Sequence, residues 1–479
     1  MSGKKYYRRV AVIILALCCF SAKGATAADN CLPAPLPSLA ENAPQFEHGV
    51  PPQELCDLLK TGETEAALAD GAVLTLSIDK ELQAAVFDLF RRYDPPYGAF
   101  AAMEPSTGRV VALVGYKKGG ESDPYLALRA SYPAASLVKV ITAAAAIELG
   151  GVSPDDEIRY RGGIYKINPN DIHSDEGGNG MTLEEAIARS ANSVFGKVAV
   201  RDVGAEALDE YLEKFGFGAP VPFDLPVEQS RAVVPDNEYA LARTGCGFGD
   251  VHVSPLHMAM VMSALASGGA MPRPFLVDRI VDERGVVVYE PGPSTLRDVV
   301  SPETAQAVVR MLIKTIEMGT SRRAFGAPDK TPLLQDMEVA GKTGSLSGVA
   351  PDSEWLRFEW FAGLAPVDSP RLALATFVAN NSHGKIKGSY VGKEAFSFYF
   401  GYPPSDPPVY LKAKAKRRTV VAGKKKAVKK ATVKKATVKK ATVKKKPGAP
   451  KKDAGVTAPS GMPASPLSRR LEETWIFDA

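Results

Sequence analysis

The sequence predicts an α+β fold built around a mostly antiparallel sheet. Strand-like runs cluster at both ends of the segment 71–405, and helix-like stretches fill its middle. The 479 residues are 45% hydrophobic, enough apolar surface for a large buried core and for two or three domains.

In chain order, residues 1–27 read as an export signal. Lys4, Lys5, Arg8 and Arg9 precede an apolar run from Val10 to about Ala22, and Ala25-Thr26-Ala27 suits a signal peptidase. That run is shorter than the roughly 20 residues a membrane span needs. Cleavage is therefore expected, with the mature chain in the periplasm or on the outer face of the cytoplasmic membrane. Cys18 and Cys19 would leave with the signal. In an oxidising compartment Cys31 and Cys56 could pair, and Cys246 reads as a packed thiol.

Residues 28–70 are Pro-rich and acidic, an N-terminal linker or small cap. Residues 71–405 read as one globular unit. Its entry strand is expected near 74–79, and Leu82, Val86, Leu89 and Phe90 set a helix over 80–93. The runs 98–103 and 109–114 flank Pro105-Ser-Thr-Gly108, a hairpin pattern. Further helices are expected at 136–148, 182–203, 255–267 and 302–318. Thr182 with Glu185 makes a capping box, and Ser301-Pro302 a helix start. Strands follow near 339–340, 358–364 and 372–379.

Residues 406–479 are a Lys-rich low-complexity tail. Residues 411–452 hold 19 Lys and Arg and no acid, which leaves 40 basic against 54 acidic side chains elsewhere, a formal −14. Ala-Thr-Val-Lys-Lys repeats three times, a five-residue period that matches neither helix nor strand, so disorder is expected. Leu467, Leu471, Trp475 and Ile476 offer a short terminal docking segment.

The chemistry begins at Ser136-Leu-Val-Lys139. In a helix, residues i and i+3 share a face, which sets a lysine amine beside a serine hydroxyl. A neutral lysine can take the serine proton, and burial or a second cation would lower its pKa toward that state. The spacing alone says little, because Ser77–Lys80 and Ser382–Lys385 repeat it and Lys60-Thr-Gly62 duplicates Lys342-Thr-Gly344. Order and context discriminate. Ser136 opens an Ala-rich helix, Ser190-Ala-Asn192 follows 54 residues later, and Lys342-Thr-Gly344 after another 152.

These three elements together resemble the Ser-x-x-Lys, Ser-x-Asn and Lys-Thr-Gly set of the penicillin-binding protein transpeptidase domain. Residues 101–108, the stretch from Val253-Ser-Pro-Leu-His-Met258 to Gly269, and Glu359-Trp-Phe-Ala-Gly-Leu-Ala-Pro366 are similar to further segments of that family. The resemblance implies a sheet with helices on both faces plus an all-helical subdomain. It also implies a role for each matching residue. Ser136 would attack a D-Ala-D-Ala carbonyl, and Lys139 would take its proton. Ser190 would relay a proton to the leaving amine, and Asn192 would hold the substrate amide. Lys342 and Thr343 would receive the terminal carboxylate, and Gly344 would let substrate backbone approach. The backbone amides of Ser136 and Ser345 would form an oxyanion hole.

Partners implied are peptidoglycan stem peptides, with β-lactams as covalent inhibitors. For the tail they are anionic lipid, lipopolysaccharide or wall polymers, with no nucleic acid if the chain is exported. The five His show no metal-ligand spacing and residues 177–180 no phosphate-loop pattern, so no cofactor or metal is implied. No glycosyltransferase domain fits before residue 71, and the usual N-terminal pedestal is expected to be absent or reduced to about 40 residues. Tyr132-Pro-Ala-Ala-Ser136 is closer to the Ala-Ser-Leu form of D,D-carboxypeptidases, whereas the strand around Trp360 is closer to transpeptidases. An amine attacking acyl-Ser136 gives a cross-link, water a carboxypeptidase. A non-catalytic penicillin-binding sensor would stay acylated. A β-lactamase with a glutamate base would show Glu-x-x-Leu-Asn, and Leu-Asn occurs nowhere.

Overall fold

The computed structural model describes residues 49–349, 355–381, 384 and 386–404. The expected export signal, the Lys-rich tail and the Cys31 side of the Cys31–Cys56 pairing lie outside the described residues. Among those residues no helix is long and apolar enough to cross a membrane.

Residues ahead of 71 also join the core. Helix α1 (Pro52–Thr61) buries Leu55, Cys56 and Leu59, and Gly62, at φ +79°, caps its C-terminus. The second Lys-Thr-Gly is therefore a helix end and not a strand. Strand β1 (Glu65–Ala67) pairs antiparallel with β2 (Val73–Leu76), which pairs in turn with Val277–Val281. Helix α2 (Lys80–Tyr93) starts where the Asp79 carboxylate accepts from the amides of Glu81 and Leu82.

The central sheet has six antiparallel strands. Three come early: β3 (Tyr97–Met103), β4 (Val110–Lys117) and β5 (Glu121–Ser122). Three come late: β6 (Ala340–Val349), β7 (Trp355–Ala365) and β8 (Leu372–Asn380). Their order is β6-β7-β8-β3-β4-β5, so β6 is an edge and the two halves of the chain meet where β8 pairs with β3. Strands β3, β4 and β8 are buried along almost their whole length, which is why they read as continuous apolar runs rather than alternating ones.

The longer helices between β5 and β6 are α3 (Val138–Glu148), α4 (Leu183–Arg189), α5 (Asn192–Val198), α6 (Ala205–Lys214), α7 (Glu238–Gly245), α8 (Pro255–Ala266) and α9 (Pro302–Glu317). Helix α8 is buried on every side from Pro255 to Leu265, and it packs on β3, β7 and β8. The other face of the sheet is covered by α2 and by helix α10 (Gly388–Tyr399). Alternation along β7 feeds both layers. Phe358, Trp360, Ala362 and Leu364 enter the core under α8, and Phe361 and Ala365 the core under α10.

Two expected helices differ in detail. The stretch 182–203 starts as predicted, with the Thr182 hydroxyl accepting from the Glu185 amide. It then breaks at Ser190, which turns left-handed at φ +58°, before α5 begins at Asn192. No Gly or Pro marks that break, so periodicity runs straight through it. The stretch 136–148 opens as a 3₁₀ turn over Ala135–Leu137 before α3 takes over at Val138. Strand β6 runs on to Val349, well beyond the two residues expected.

Candidate active site

The first group is set by the entry to α3. Tyr132 and Pro133 pair with Val253 and His252, the Ala134 amide donates to the Val251 carbonyl, and the Trp360 indole donates to the Pro133 carbonyl at 3.0 Å. Ala135 follows at φ +49°, a conformation that L-residues with a Cβ rarely hold. The chain thereby delivers Ser136 into the first turn, and Lys139 lies three residues on along the same face. Its Nζ is 2.8 Å from Ser136 Oγ, and both residues are buried.

The second group comes from the α4–α5 break. Asn192 Oδ1 accepts from Lys139 Nζ at 2.8 Å, and its Nδ2 donates to the Tyr165 carbonyl at 2.8 Å, which fixes the amide orientation. Ser190, two residues earlier, faces the third group. Lys342 Nζ on β6 donates to Ser190 Oγ at 2.9 Å and to the Thr343 carbonyl at 2.8 Å. Ser136, Lys139 and Asn192 thus form one hydrogen-bonded set, and Ser190 and Lys342 a second.

Both cations are fully buried. Among the described residues no carboxylate pairs with either. Burial lowers Lys139 to about pKa 8. Lys342 is pushed well below its usual value by burial and then by the Lys139 charge. Lys139 Nζ also donates to the Cys246 carbonyl at 3.1 Å. As an ammonium it has three donors and three acceptors. As a neutral amine it donates to Asn192 and Cys246 and leaves its lone pair to the Ser136 proton. Such a site can activate a hydroxyl and hold an anion beside it.

The remaining expected residues continue along β6. Among the described residues its outer edge pairs with no strand, and a Cβ at Gly344 would stand 3.2 Å from the Ala134 carbonyl and 3.3 Å from Ala135 Cβ, so this strand passes tightly against the Ser136 segment. Thr343 is half-buried and Ser345 exposed. The look-alike Ser77–Lys80 scatters instead. The Ser77 hydroxyl donates to the Val110 carbonyl, while Lys80 pairs with Glu63 in solvent. Ser382 and Lys385 lie outside the described residues.

Sequence reasoning missed two contributors: the Tyr165 carbonyl and the Cys246 carbonyl. Cys246 is a packed thiol, as expected, but its backbone is what the site uses. The clue was the glycine spacing in Gly245-Cys-Gly-Phe-Gly249. A Cβ at Gly247 would fall 1.7 Å from the Ala135 carbonyl, and one at Gly245 2.3 Å from Ala199 Cβ. Tyr165 carries no comparable pattern.

Comparison with known proteins identifies the family of the domain that carries this site. Residues 98–397 match the family described as penicillin binding protein transpeptidase domain. The chain is 25% identical over 349 residues to peptidoglycan D,D-transpeptidase PbpA of Mycobacterium tuberculosis, covering 65% of this chain and 68% of that protein. It is 27% identical over 342 residues to penicillin-binding protein 3 of Bacillus subtilis, covering 64% of this chain and 48% of that one. Among solved structures, PBPA from Mycobacterium tuberculosis superposes with a TM-score of 0.57 at 23% identity, over 69% of this chain and 82% of that one. The imipenem acyl-enzyme complex of penicillin-binding protein A from the same organism gives 0.56 at 24%, over 69% and 80%. At these identities the structures establish a common fold.

Proposed function

The chain belongs to the penicillin-binding protein transpeptidase family, and from that premise we propose that it is a peptidoglycan D,D-transpeptidase that acts on D-Ala-D-Ala stem peptides through acyl-Ser136. The observation that carries this is the contact of Ser136 Oγ with a buried Lys139 whose pKa is lowered to about 8. Neutral Lys139 takes the Ser136 proton as Oγ attacks the penultimate D-Ala carbonyl. The backbone amides of Ser136 and Ser345 receive the oxyanion, a contribution worth on the order of 10²-fold in rate per donor. Collapse breaks the C–N bond, and the proton that Lys139 took from Ser136 passes by way of the Ser190 hydroxyl, steadied by Lys342, to the nitrogen of the leaving D-Ala, which returns Lys139 to the neutral amine. Lys342 and Thr343 hold the substrate carboxylate, in a pocket where among the described residues no carboxylate pairs with the Lys342 amine. Asn192 holds the substrate amide, and Gly344 leaves room for its backbone. A stem-peptide amine then attacks the acyl-Ser136 ester and regenerates the serine. β-Lactams acylate the same hydroxyl.

The test is labelling with a fluorescent penicillin, comparing wild type with Ser136→Ala, followed by product analysis on stem pentapeptides. Wild type is expected to label, to release D-Ala and to form cross-linked dimers, while Ser136→Ala does none of these. Labelling that survives Ser136→Ala would sink the assignment. D-Ala release without dimers would identify a carboxypeptidase, and labelling without D-Ala release a sensor.

Location and tail complete the proposal. The N-terminal basic and apolar pattern supports export to the periplasm or the outer face of the cytoplasmic membrane. There the 19 cations of residues 411–452 meet anionic lipid, lipopolysaccharide or wall polymers.

A further inference from the structure

Helix α9 ends beside the site. It packs on both α4, which leads into Ser190, and β6, which carries Lys342 and Thr343. Just past its end the chain crosses α4 so closely that a Cβ on Gly319 would lie 2.1 Å from the Ala188 carbonyl. The Thr320 amide donates to that same carbonyl at 3.0 Å. Ser321 behind it is fully buried, and its amide donates to the Thr315 carbonyl. Thr320 is thus held rigidly from both sides, yet its own side chain is exposed. Its Oγ1 stands 2.5 Å from Thr343 Oγ1.

We propose that Thr320 is a positioning residue for the substrate carboxylate, acting through the Thr343 hydroxyl. Two hydroxyls in contact share one proton between them, so one O–H remains to point outward. With a carboxylate in the pocket, Thr320 donates to Thr343 Oγ1, and Thr343 turns its own proton to the anion. A chain of hydrogen bonds in this sense polarises the terminal donor toward the negative charge. It also removes the rotational freedom that an isolated threonine hydroxyl would lose on binding. The backbone clamp at Gly319 and Ala188 makes the arrangement part of the fold before ligand arrives. The inference rests on the acyl-serine assignment above, in which Thr343 meets the carboxylate.

The experiment measures second-order acylation of the purified protein by benzylpenicillin, which bears the carboxylate, and by its methyl ester, which does not. Thr320→Val keeps the shape and removes the hydroxyl. It is expected to slow acylation by benzylpenicillin about tenfold, through weaker binding rather than a slower chemical step, and to leave the already slow ester reaction unchanged. Thr320→Ser is expected to restore the wild-type rate. An unchanged benzylpenicillin rate in Thr320→Val overturns the proposal, as does an equal loss with both ligands, which would mark a purely structural role. Absence of wild-type labelling at Ser136 would overturn the acyl-serine assignment and this inference with it. Normal wild-type labelling with an indifferent Thr320→Val removes the inference alone.

Discussion

Lys139 is the residue on which the chemistry turns, and its surroundings set a pH dependence. Burial disfavours the charged amine and lowers its pKa to about 8. Only the neutral form has a lone pair for the Ser136 proton. Below pH 8 the neutral fraction falls tenfold per unit, so the acylation rate should rise with slope one up to about pH 8 and then level. Stopped-flow acylation by penicillin across this range checks the sign. A flat profile, or one that falls with rising pH, contradicts a lysine base. Lys139→Arg stays charged throughout and is expected to lose on the order of 10³-fold without a pH dependence. The sequence placed Ser136 and Lys139 side by side through helical spacing. It did not show that Asn192 Oδ1 and the Cys246 carbonyl would take up the other two amine positions, because those contacts span 53 and 107 residues.

At the scale of elements, two of the three described non-glycine residues at positive φ flank the chemistry: Ala135 before the nucleophile, and Ser190 between α4 and α5. Each holds a backbone conformation that a Cβ disfavours by about 1–2 kcal/mol. The surrounding contacts hold them there. Glycine at either position should relieve that strain, so Ala135→Gly is expected to raise unfolding stability by about 1 kcal/mol. Ser190→Gly should be about 1 kcal/mol more stable than Ser190→Ala, since both lose the hydroxyl that Lys342 bonds but only alanine keeps the strain. Thermal denaturation of the three variants measures this, and equal stability of the two Ser190 variants would refute it. Both Ser190 variants should lose acylation whatever their stability. Neither kink was legible beforehand. Residues 182–203 have a good capping box and sustained helical pattern, and the break is imposed by what α4 and α5 pack against.

For the molecule as a whole, one sheet divides two cores, and Phe361 shows how closely the second is fitted. A Cβ on Gly341, Gly363 or Gly392 would approach the Phe361 ring to 2.5, 2.9 or 2.3 Å. The acidic globular part and the basic tail make a second division, in charge. Removing residues 411–479 is expected to leave penicillin labelling intact and to abolish salt-sensitive retention on anionic membranes or wall material. Comparing retention of the two forms at low and high salt decides it, because a screened electrostatic contact must weaken as the Debye length shrinks. Equal retention of both forms would remove the anchoring role. What the sequence determined alone was local: the α+β class from apolar runs and helical periods, the capped starts of α4 and α9, and the three motifs in their order. What tertiary structure decided was every contact between motifs, the packing of Val50 and α1 into the core, the left-handed turns at Ala135 and Ser190, and the place of Thr320 beside Thr343. The reason is physical. Periodicity and capping act within a few residues, where one-dimensional order is also spatial order. The site is assembled by β6 closing on the α4–α5 break, across 152 residues of chain that no local pattern spans.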